Sequence, residues 1–155
     1  MTDEIVTAPP GVALRHAGTR KELAACFPVI AQLRPFLTSE AEWCDRASAQ
    51  TAAGYRVLAA WKGDRAVAVA GYRVMENLIH GRFLYVDDLI TAEGERGHGL
   101  GALLLQELSE IGLGRGCRRL VLDTAAANTK ARRFYKREGL HDVVVGFLKP
   151  LGPAI

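Results

Sequence analysis

The sequence has few of the features that mark membrane, secreted or metal-binding proteins. Its three cysteines, Cys26, Cys44 and Cys117, are an odd number, and their spacing matches no zinc or thiol-redox motif. We therefore expect free thiols in a reducing compartment and no metal site. No apolar stretch is long enough to span a bilayer, and the amino terminus lacks a basic segment followed by an apolar run. These absences predict a cytoplasmic protein that has no membrane partner.

Excess charge, internal repeats and low-complexity segments are also missing. The net charge is +3, and the 49% apolar and 24% charged residues are ordinary for a globular chain of 155 residues. Basic residues cluster at 115–119 and 130–137, but no nucleic-acid-binding motif accompanies them. We interpret them as solvated faces and expect no nucleic-acid partner. The length predicts one domain over residues 1–155, with residues 1–10 as a flexible tail.

Hydrophobic periodicity predicts alternating strands and helices. Thr19 and Glu22 form a capping box that opens the first helix, in which Pro28 predicts a kink or an early break. Thr38 or Ser39 caps the second helix. Strands are predicted at 12–16, 55–61, 66–75, 83–91, 118–124 and 140–148, with a long helix from Leu100 and a short one at 129–137. A meander followed by crossover helices predicts an α/β layered fold with a mixed, mostly antiparallel sheet and helices on both faces.

A glycine-rich turn joins the strand at 83–91 to the long helix. It reads Arg-Gly-His-Gly-Leu-Gly over residues 96–101. Glycines let the backbone come close to a ligand, and the first turn of a helix offers unpaired N–H groups and a positive dipole end. Arg96 adds a fixed positive charge that suits phosphate. We therefore predict an anion cradle at this turn.

Two known phosphate sites fit this turn poorly. Gly97, Gly99 and Ala102 match the dinucleotide pattern G-x-G-x-x-A, with Asp123 near the place of a ribose-binding acid. However, only 32 residues follow Asp123, which is too few for the second half of that fold, and the strands before the turn read as hairpin partners. An oxidoreductase linked to NAD(P) is therefore the weaker alternative. A Walker A loop is excluded because no Gly-Lys-Ser/Thr follows the glycines.

A third family fits both this turn and the sequence downstream. Arg96, Gly99 and Gly101 match the signature [Q/R]-x-x-G-x-[G/A] of the GCN5-related N-acetyltransferase (GNAT) family. Residues 128–140 resemble the N-x-x-A-x-x-F-Y-x-x-x-G-F segment of that family, with Leu140 in place of the usual phenylalanine. The chain thus resembles the family over about residues 82–145.

The resemblance implies an enzyme that moves an acetyl or other acyl group from acetyl-CoA to a primary amine. It implies direct attack in a ternary complex, a GNAT-type fold with a splayed central strand pair, no metal, and a small-molecule or peptide acceptor. A homodimer is a further expectation from the family. The residues implied to hold the coenzyme are Leu89, Ile90, Thr91, Arg96, Gly97, His98, Gly99, Leu100, Gly101, Ala102 and Asn128. Most would act through backbone N–H groups, whereas the side chain of His98 has no assigned role.

The resemblance also implies the catalytic groups. Tyr135 matches the family tyrosine near the coenzyme sulfur, and a phenol is protonated at neutral pH, so it can act as general acid towards the leaving thiolate. Asp87 and Asp88 are candidates for the base or for an amine anchor, and a water relay is an equal alternative as base. Consecutive strand residues point to opposite faces, so we expect only one aspartate to face the cleft. Acidic groups at the cleft favour a cationic acceptor.

Two questions remain open at this level. Asn128 either bonds the pantetheine arm or caps the helix that follows it. A non-catalytic acyl-CoA-binding or regulatory module is the other alternative to the enzyme; loss of Tyr135 and both aspartates would favour it, but all three are present. The identity of the acceptor has no readable pattern.

Overall fold

The structure, a computed structural model, describes residues 6–154. It contains β1 (Ala13–His16), α1 (Arg20–Leu33), α2 (Glu40–Gln50), β2 (Arg56–Lys62), β3 (Arg65–Asn77), β4 (Gly81–Thr91), α3 (Leu100–Gly114), β5 (Arg119–Leu122) and α4 (Thr129–Arg137). Short 3-10 turns follow α2 at Thr51–Ala53 and β4 at Glu93–Glu95. The chain divides into two compact units, one ending at Val121 and the other beginning at Leu122.

The strands form one sheet in the order β1-β2-β3-β4-β5. The first four strands pair antiparallel with their neighbours, and the last pair is parallel. Connected strands lie side by side until the chain crosses over through α3, which is why only the last pair is parallel. The predicted mixed α/β fold is confirmed.

The register between β3 and β4 is interrupted in the middle of the sheet. Gly71 pairs with Asp88, but the next residue of β3, Tyr72, pairs with Val86, so Asp87 is left without a partner opposite it. This is a β-bulge, which bends the strand and re-aims the side chains around the extra residue. The side chains of Asp87 and Asp88 therefore do not alternate between the two faces of the sheet as they would in a regular strand.

Helices cover the sheet on both faces. α1 and α2 pack with one face of β2 in a cluster of buried apolar side chains that includes Leu23, Ile30, Trp43 and Trp61. α3 lies on the other face, with the backbone of Gly112 against Leu84 of β4. Each large aliphatic side chain buried in this way contributes roughly 1.5–3 kcal/mol. The three cysteines are free, as predicted, and all three are buried.

The helix ends follow the predicted capping chemistry. The capping box of Thr19 and Glu22 is formed, and Ser39 rather than Thr38 caps α2. The first helix, α1, continues through Pro28 to Leu33, so the predicted alternative of an early break at Pro28 is wrong. A proline removes only its own N–H from the helix ladder, and the packed apolar face on either side of it holds the helix together.

The second unit contains α4 and the carboxy-terminal segment. α4 has the predicted bounds, but residues 141–150 have no regular secondary structure, so the predicted strand at 140–148 is wrong. An alternating apolar sequence forms a strand only where another strand satisfies its backbone groups, and none among the described residues pairs with this segment. Its large apolar side chains, such as Val143 and Phe147, are exposed.

From residue 6 to residue 154, no helix combines the length and the apolar character needed to cross a bilayer.

Candidate active site

The glycine-rich turn that is predicted to be an anion cradle leads into the start of α3. Gly97 and Gly99 have φ angles of 86° and 75°, in the left-handed region that favours glycine, and Gly99 is the N-cap residue without a side-chain cap. Leu100 is buried and anchors the first turn, while residues 96–99 are exposed. Within the described chain, the backbone N–H groups of residues 97–102 donate to no group outside the helix. Such open donors at a helix start fit the pyrophosphate of a coenzyme A molecule.

Arg96 lies beside these donors. Its side chain is exposed, and its one described contact is a long hydrogen bond of 3.4 Å from Nε to the carbonyl oxygen of Thr91. A guanidinium held so loosely is available to an incoming phosphate. Arg96 and the two left-handed glycines thus lie within one turn, immediately before α3.

The loop that leads into the cradle is tied down at three points. The N–H of Ala92 donates to the carbonyl of Val67, and the N–H of Glu93 donates to Oε1 of Gln32 in α1. The carboxylate of Glu95 accepts from Lys62 Nζ at 2.7 Å and from Arg65 Nη2 at 3.0 Å. These two hydrogen bonds, Lys62 first, hold the pKa of Glu95 below its usual range. The hairpin between β2 and β3 thus fixes the residue immediately before Arg96.

Asp88 is fully engaged by its neighbours. Its Oδ2 accepts a 2.7 Å hydrogen bond from the hydroxyl of Tyr55, and its Oδ1 accepts a 3.0 Å bond from Nε of Arg34 and forms an ion pair with Nη2 at 2.9 Å. Burial, followed by the nearby charge of Asp88, raises the pKa of Tyr55 well above its usual value. Tyr55 is therefore a permanent donor, and Asp88 has a described partner on each oxygen.

Asp87 is engaged on one side only. Its Oδ2 accepts a 2.9 Å bond from Nε of Arg73, whose Nη2 donates to Gln50. Its backbone carbonyl accepts from Arg34, while Oδ1 has no partner among residues 6–154. Burial raises the pKa of Asp87 above its usual range, and the bond from Arg73 opposes that rise. Asp87 thus keeps one free oxygen and a carboxylate more basic than an exposed aspartate.

The expectation that the two aspartates lie on opposite faces is wrong. Both side chains belong to one network, because Arg73, which bonds the carboxylate of Asp87, lies 5.3 Å from the centre of the Tyr55 ring, and Tyr55 bonds the carboxylate of Asp88. Arg34 also contacts the carboxylate of Asp88 and the backbone carbonyl of Asp87. The bulge between Gly71 and Tyr72 is the physical reason, since it breaks the alternation of side chains at Asp87. We call Arg34, Tyr55, Arg73, Asp87 and Asp88 the charge network.

Gly71 makes room for this network. A Cβ atom at residue 71 would lie 2.1 Å from the hydroxyl oxygen of Tyr55 and 2.4 Å from Oδ2 of Asp88. Neither separation is compatible with a side chain in place. The strand therefore carries glycine where the tyrosine and the carboxylate meet.

The second unit carries Asn128 and Tyr135. Asn128 is the N-cap of α4, and its side-chain oxygen accepts from the N–H of Ala131 at 3.1 Å. Of the two roles left open for Asn128, the structure shows the cap. Tyr135 is half-buried beside Phe134, with ring centroids 5.4 Å apart, and burial raises the pKa of its phenol.

Sequence reasoning missed several of these residues. Arg34, Tyr55, Gly71 and Arg73 were not singled out, and neither was the bond between Glu95 and the hairpin. One signal was available: Arg73 interrupts the apolar run of β3, and a charge inside such a strand requires a partner. Arg34 gave no comparable signal, because it is 54 residues from Asp88 in the sequence.

Comparisons with known proteins identify the family of the chain. The family model described as "Acetyltransferase (GNAT) family" matches residues 17–140. A bovine thialysine N-epsilon-acetyltransferase is 32% identical over 63 residues, which is 41% of this chain and 37% of the relative. The chain therefore aligns with less than half of that relative's length.

Solved structures show the same fold. An acetyltransferase from Trypanosoma brucei superimposes with a TM-score of 0.75 at 22% identity, covering 90% of this chain and 99% of the other. An aminoglycoside N-acetyltransferase in complex with CoA reaches 0.79 at 16% identity, covering 96% and 100% of the two chains. Identities this low show the fold alone, but the family model covers most of the sequence, including the cradle and the charge network. The chain belongs to the acetyltransferase (GNAT) family.

Proposed function

We propose that the protein transfers an acetyl group from acetyl-CoA to a primary amine by direct attack in a ternary complex. The observation that carries this proposal is the cradle. Its left-handed glycines and open N–H groups stand at the end of β4 and fit a pyrophosphate. The names of the relatives, which are N-acetyltransferases, support the same activity.

The pantetheine arm would lie along the end of β4. A hydrogen bond from the N–H of Arg118 to the carbonyl of Arg82 sets the start of β5 beside the start of β4. β5 has only four residues, whereas β4 has 11, so Leu89–Thr91 extend beyond it. We assign the backbone groups of these three residues to the amides of the arm, in the manner of an added strand.

Asp87 is the general base in this proposal. A base needs a free lone pair and a pKa raised towards the working pH, and Asp87 has both. Asp88 is a poorer candidate, because Tyr55 and Arg34 occupy its two oxygens. Asp88 instead holds the network together. Asp87 takes a proton from the attacking amine, directly or through a water molecule.

Tyr135 is assigned the acid role on the family resemblance. As the new C–N bond forms and the C–S bond breaks, the leaving thiolate needs a proton. A phenol whose pKa is raised by burial stays protonated at neutral pH and can supply it.

The test is calorimetric titration with acetyl-CoA, CoA and NADH, followed by measurement of thiol release from acetyl-CoA across a panel of amines. We expect acetyl-CoA to bind and thiol to be released only when an amine is present. Binding without thiol release for any amine would favour a non-catalytic acyl-CoA-binding module. Binding of NADH alone would refute the assignment of the cradle.

A further inference from the structure

The charge network has no net charge to offer a cationic acceptor. It contains the two carboxylates of Asp87 and Asp88 and the two guanidinium groups of Arg34 and Arg73, which cancel. Tyr55 stays neutral because its pKa is raised. The sequence favoured a cationic acceptor on account of its acidic pair, but each acid is already paired within the protein. The network therefore has no unpaired carboxylate group that would attract a polycation.

The two arginines keep donors to spare. Arg34 uses Nε and Nη2, and Arg73 uses the same two atoms, so the Nη1 groups of both lack a partner in the described part of the chain. The side chain of Arg34 is 40% exposed, so its outer edge is accessible. A guanidinium with free N–H groups is the protein group that best fits a carboxylate, because the planar fork matches the two oxygens.

A basic cavity borders the same network. It has a volume of about 600 Å³, and Tyr55 lines it. Its charged lining residues are Arg20, Arg56 and Arg115, and no acidic side chain lines it. Arg20 pairs with the exposed Asp45, and Arg56 bonds the carbonyls of Thr51 and Tyr55. Arg56 and Arg115 have no described acidic partner, so the charged side chains that line the cavity are basic, which disfavours a polycation and favours an anionic group.

We propose that the acceptor of this enzyme carries a carboxylate as well as the reacting amine, so that it is an amino acid or a close analogue rather than a polyamine. The amine lies at the free oxygen of Asp87, and the carboxylate binds the unused donors of Arg34 and Arg73. This inference rests on the proposed acetyl transfer and specifies its substrate class.

Matched pairs of amines that differ by one carboxylate test the proposal. The pairs are L-lysine and cadaverine, L-ornithine and putrescine, and L-phenylalanine and phenethylamine. Binding is measured by calorimetry on the protein saturated with CoA, and thiol release is measured with acetyl-CoA. In at least one pair we expect the amino acid to bind about tenfold more tightly than its decarboxylated amine, with a similar advantage in kcat/KM. Equal or tighter binding of the decarboxylated amines, or no binding of any of the six, would overturn the proposal.

Substitutions test which residues cause the preference for the amino acid over its decarboxylated amine. Arg34→Gln should remove most of this preference. It should also tighten the binding of cadaverine relative to L-lysine, since Asp88 loses its cation. Arg34→Lys keeps the charge beside Asp88 but loses the fork, so it should reduce the preference even if Arg34→Gln folds poorly. Arg46→Gln is the matched control, because Arg46 pairs with Glu42 on the surface of α2, and it should leave the ratio unchanged. An unchanged ratio in Arg34→Lys would contradict the assigned role.

Binding and thiol release test the carboxylate site and acetyl transfer separately. Thiol release that is faster with the diamines would reject the carboxylate and leave acetyl transfer standing. Tighter binding of the amino acids without thiol release would support the carboxylate site and reject acetyl transfer.

Discussion

The hydroxyl of Tyr55 lies 2.7 Å from Oδ2 of Asp88, and the bond passes over Gly71, which has no side chain to obstruct it. Tyr55 precedes β2 and Asp88 lies in β4, so the bond spans β3 between them. Arg34 holds the other oxygen of the same carboxylate. These contacts occupy both oxygens of Asp88, whereas Asp87 is bonded through one oxygen within the described chain.

Replacing Gly71 with alanine should break that contact. The added methyl group would overlap Tyr55 and Asp88, so one of them must move. We expect a loss of about 1–3 kcal/mol in the free energy of unfolding, measured by denaturant titration. We also expect kcat/KM for thiol release to fall at least about tenfold. Gly114→Ala, where the new methyl group meets open space in α3, is the control and should lower neither quantity. Wild-type stability in Gly71→Ala would show that the network tolerates the methyl group.

The pH dependence of the reaction should report Asp87. The base must be deprotonated, so kcat/KM should rise with pH through an acidic limb. Because burial raises the pKa of Asp87, the limb should lie above pH 3.8, the value for an exposed aspartate. Asp87→Asn should lower the plateau by roughly 100-fold and abolish the limb. An unaltered limb in that variant would assign the titration to another group.

The glycine at the N-cap of α3 should be required for coenzyme binding. Gly99→Ala forces a left-handed φ on alanine, at a cost of roughly 1–2 kcal/mol, and sets a Cβ beside the open N–H groups. We expect the Kd for acetyl-CoA to rise at least about tenfold in calorimetry. Gly81→Ala carries the same backbone strain, at the start of β4, and should lose stability without losing acetyl-CoA affinity. A similar loss of affinity in both variants would mean that stability alone explains it.

Glu95 should act as a positioning residue for the cradle. Glu95→Gln removes the charge that Lys62 and Arg65 hold, so the loop before Arg96 should loosen. We expect KM for acetyl-CoA to rise about threefold to tenfold with little change in kcat, measured by steady-state thiol release. Glu93→Gln is the control, because only the backbone N–H of that residue has a described contact. A fall in kcat at constant KM would contradict a role in coenzyme positioning.

The phenol of Tyr135 should matter for the chemical step and not for binding. Tyr135→Phe removes the proton donor, and we expect kcat to fall roughly 100-fold. Calorimetry should show unchanged affinity for acetyl-CoA. The difference between the two measurements is the diagnostic, since a residue that only packs would change both or neither. Full activity in Tyr135→Phe would remove the acid assignment.

Local patterns in the sequence determined most of the fold. The capping box at Thr19, the glycine-rich turn after β4 and the bounds of α4 depend on residues close together in the chain, and the structure shows each of them. The mixed sheet followed from the order of elements, because a crossover through α3 permits a parallel pair while hairpins do not. The segment at 140–148 shows where this reasoning fails: its apolar alternation is real, but a strand also needs a partner.

The charge network was decided by the tertiary structure. Arg34, Tyr55 and Asp88 come from α1, the residue before β2, and β4, and no local pattern links positions 33 and 54 residues apart. The sequence alone showed two acidic residues in a strand, and from them we predicted a cationic acceptor. The bulge at Asp87 brought both carboxylates into one network, and two arginines from distant elements neutralised them. The sequence by itself thus determined the glycine-rich turn and its open N–H groups at the start of α3, because those groups are neighbours in the chain. Only the tertiary structure decided the net charge of the network, because that charge is a sum over elements that only folding brings together.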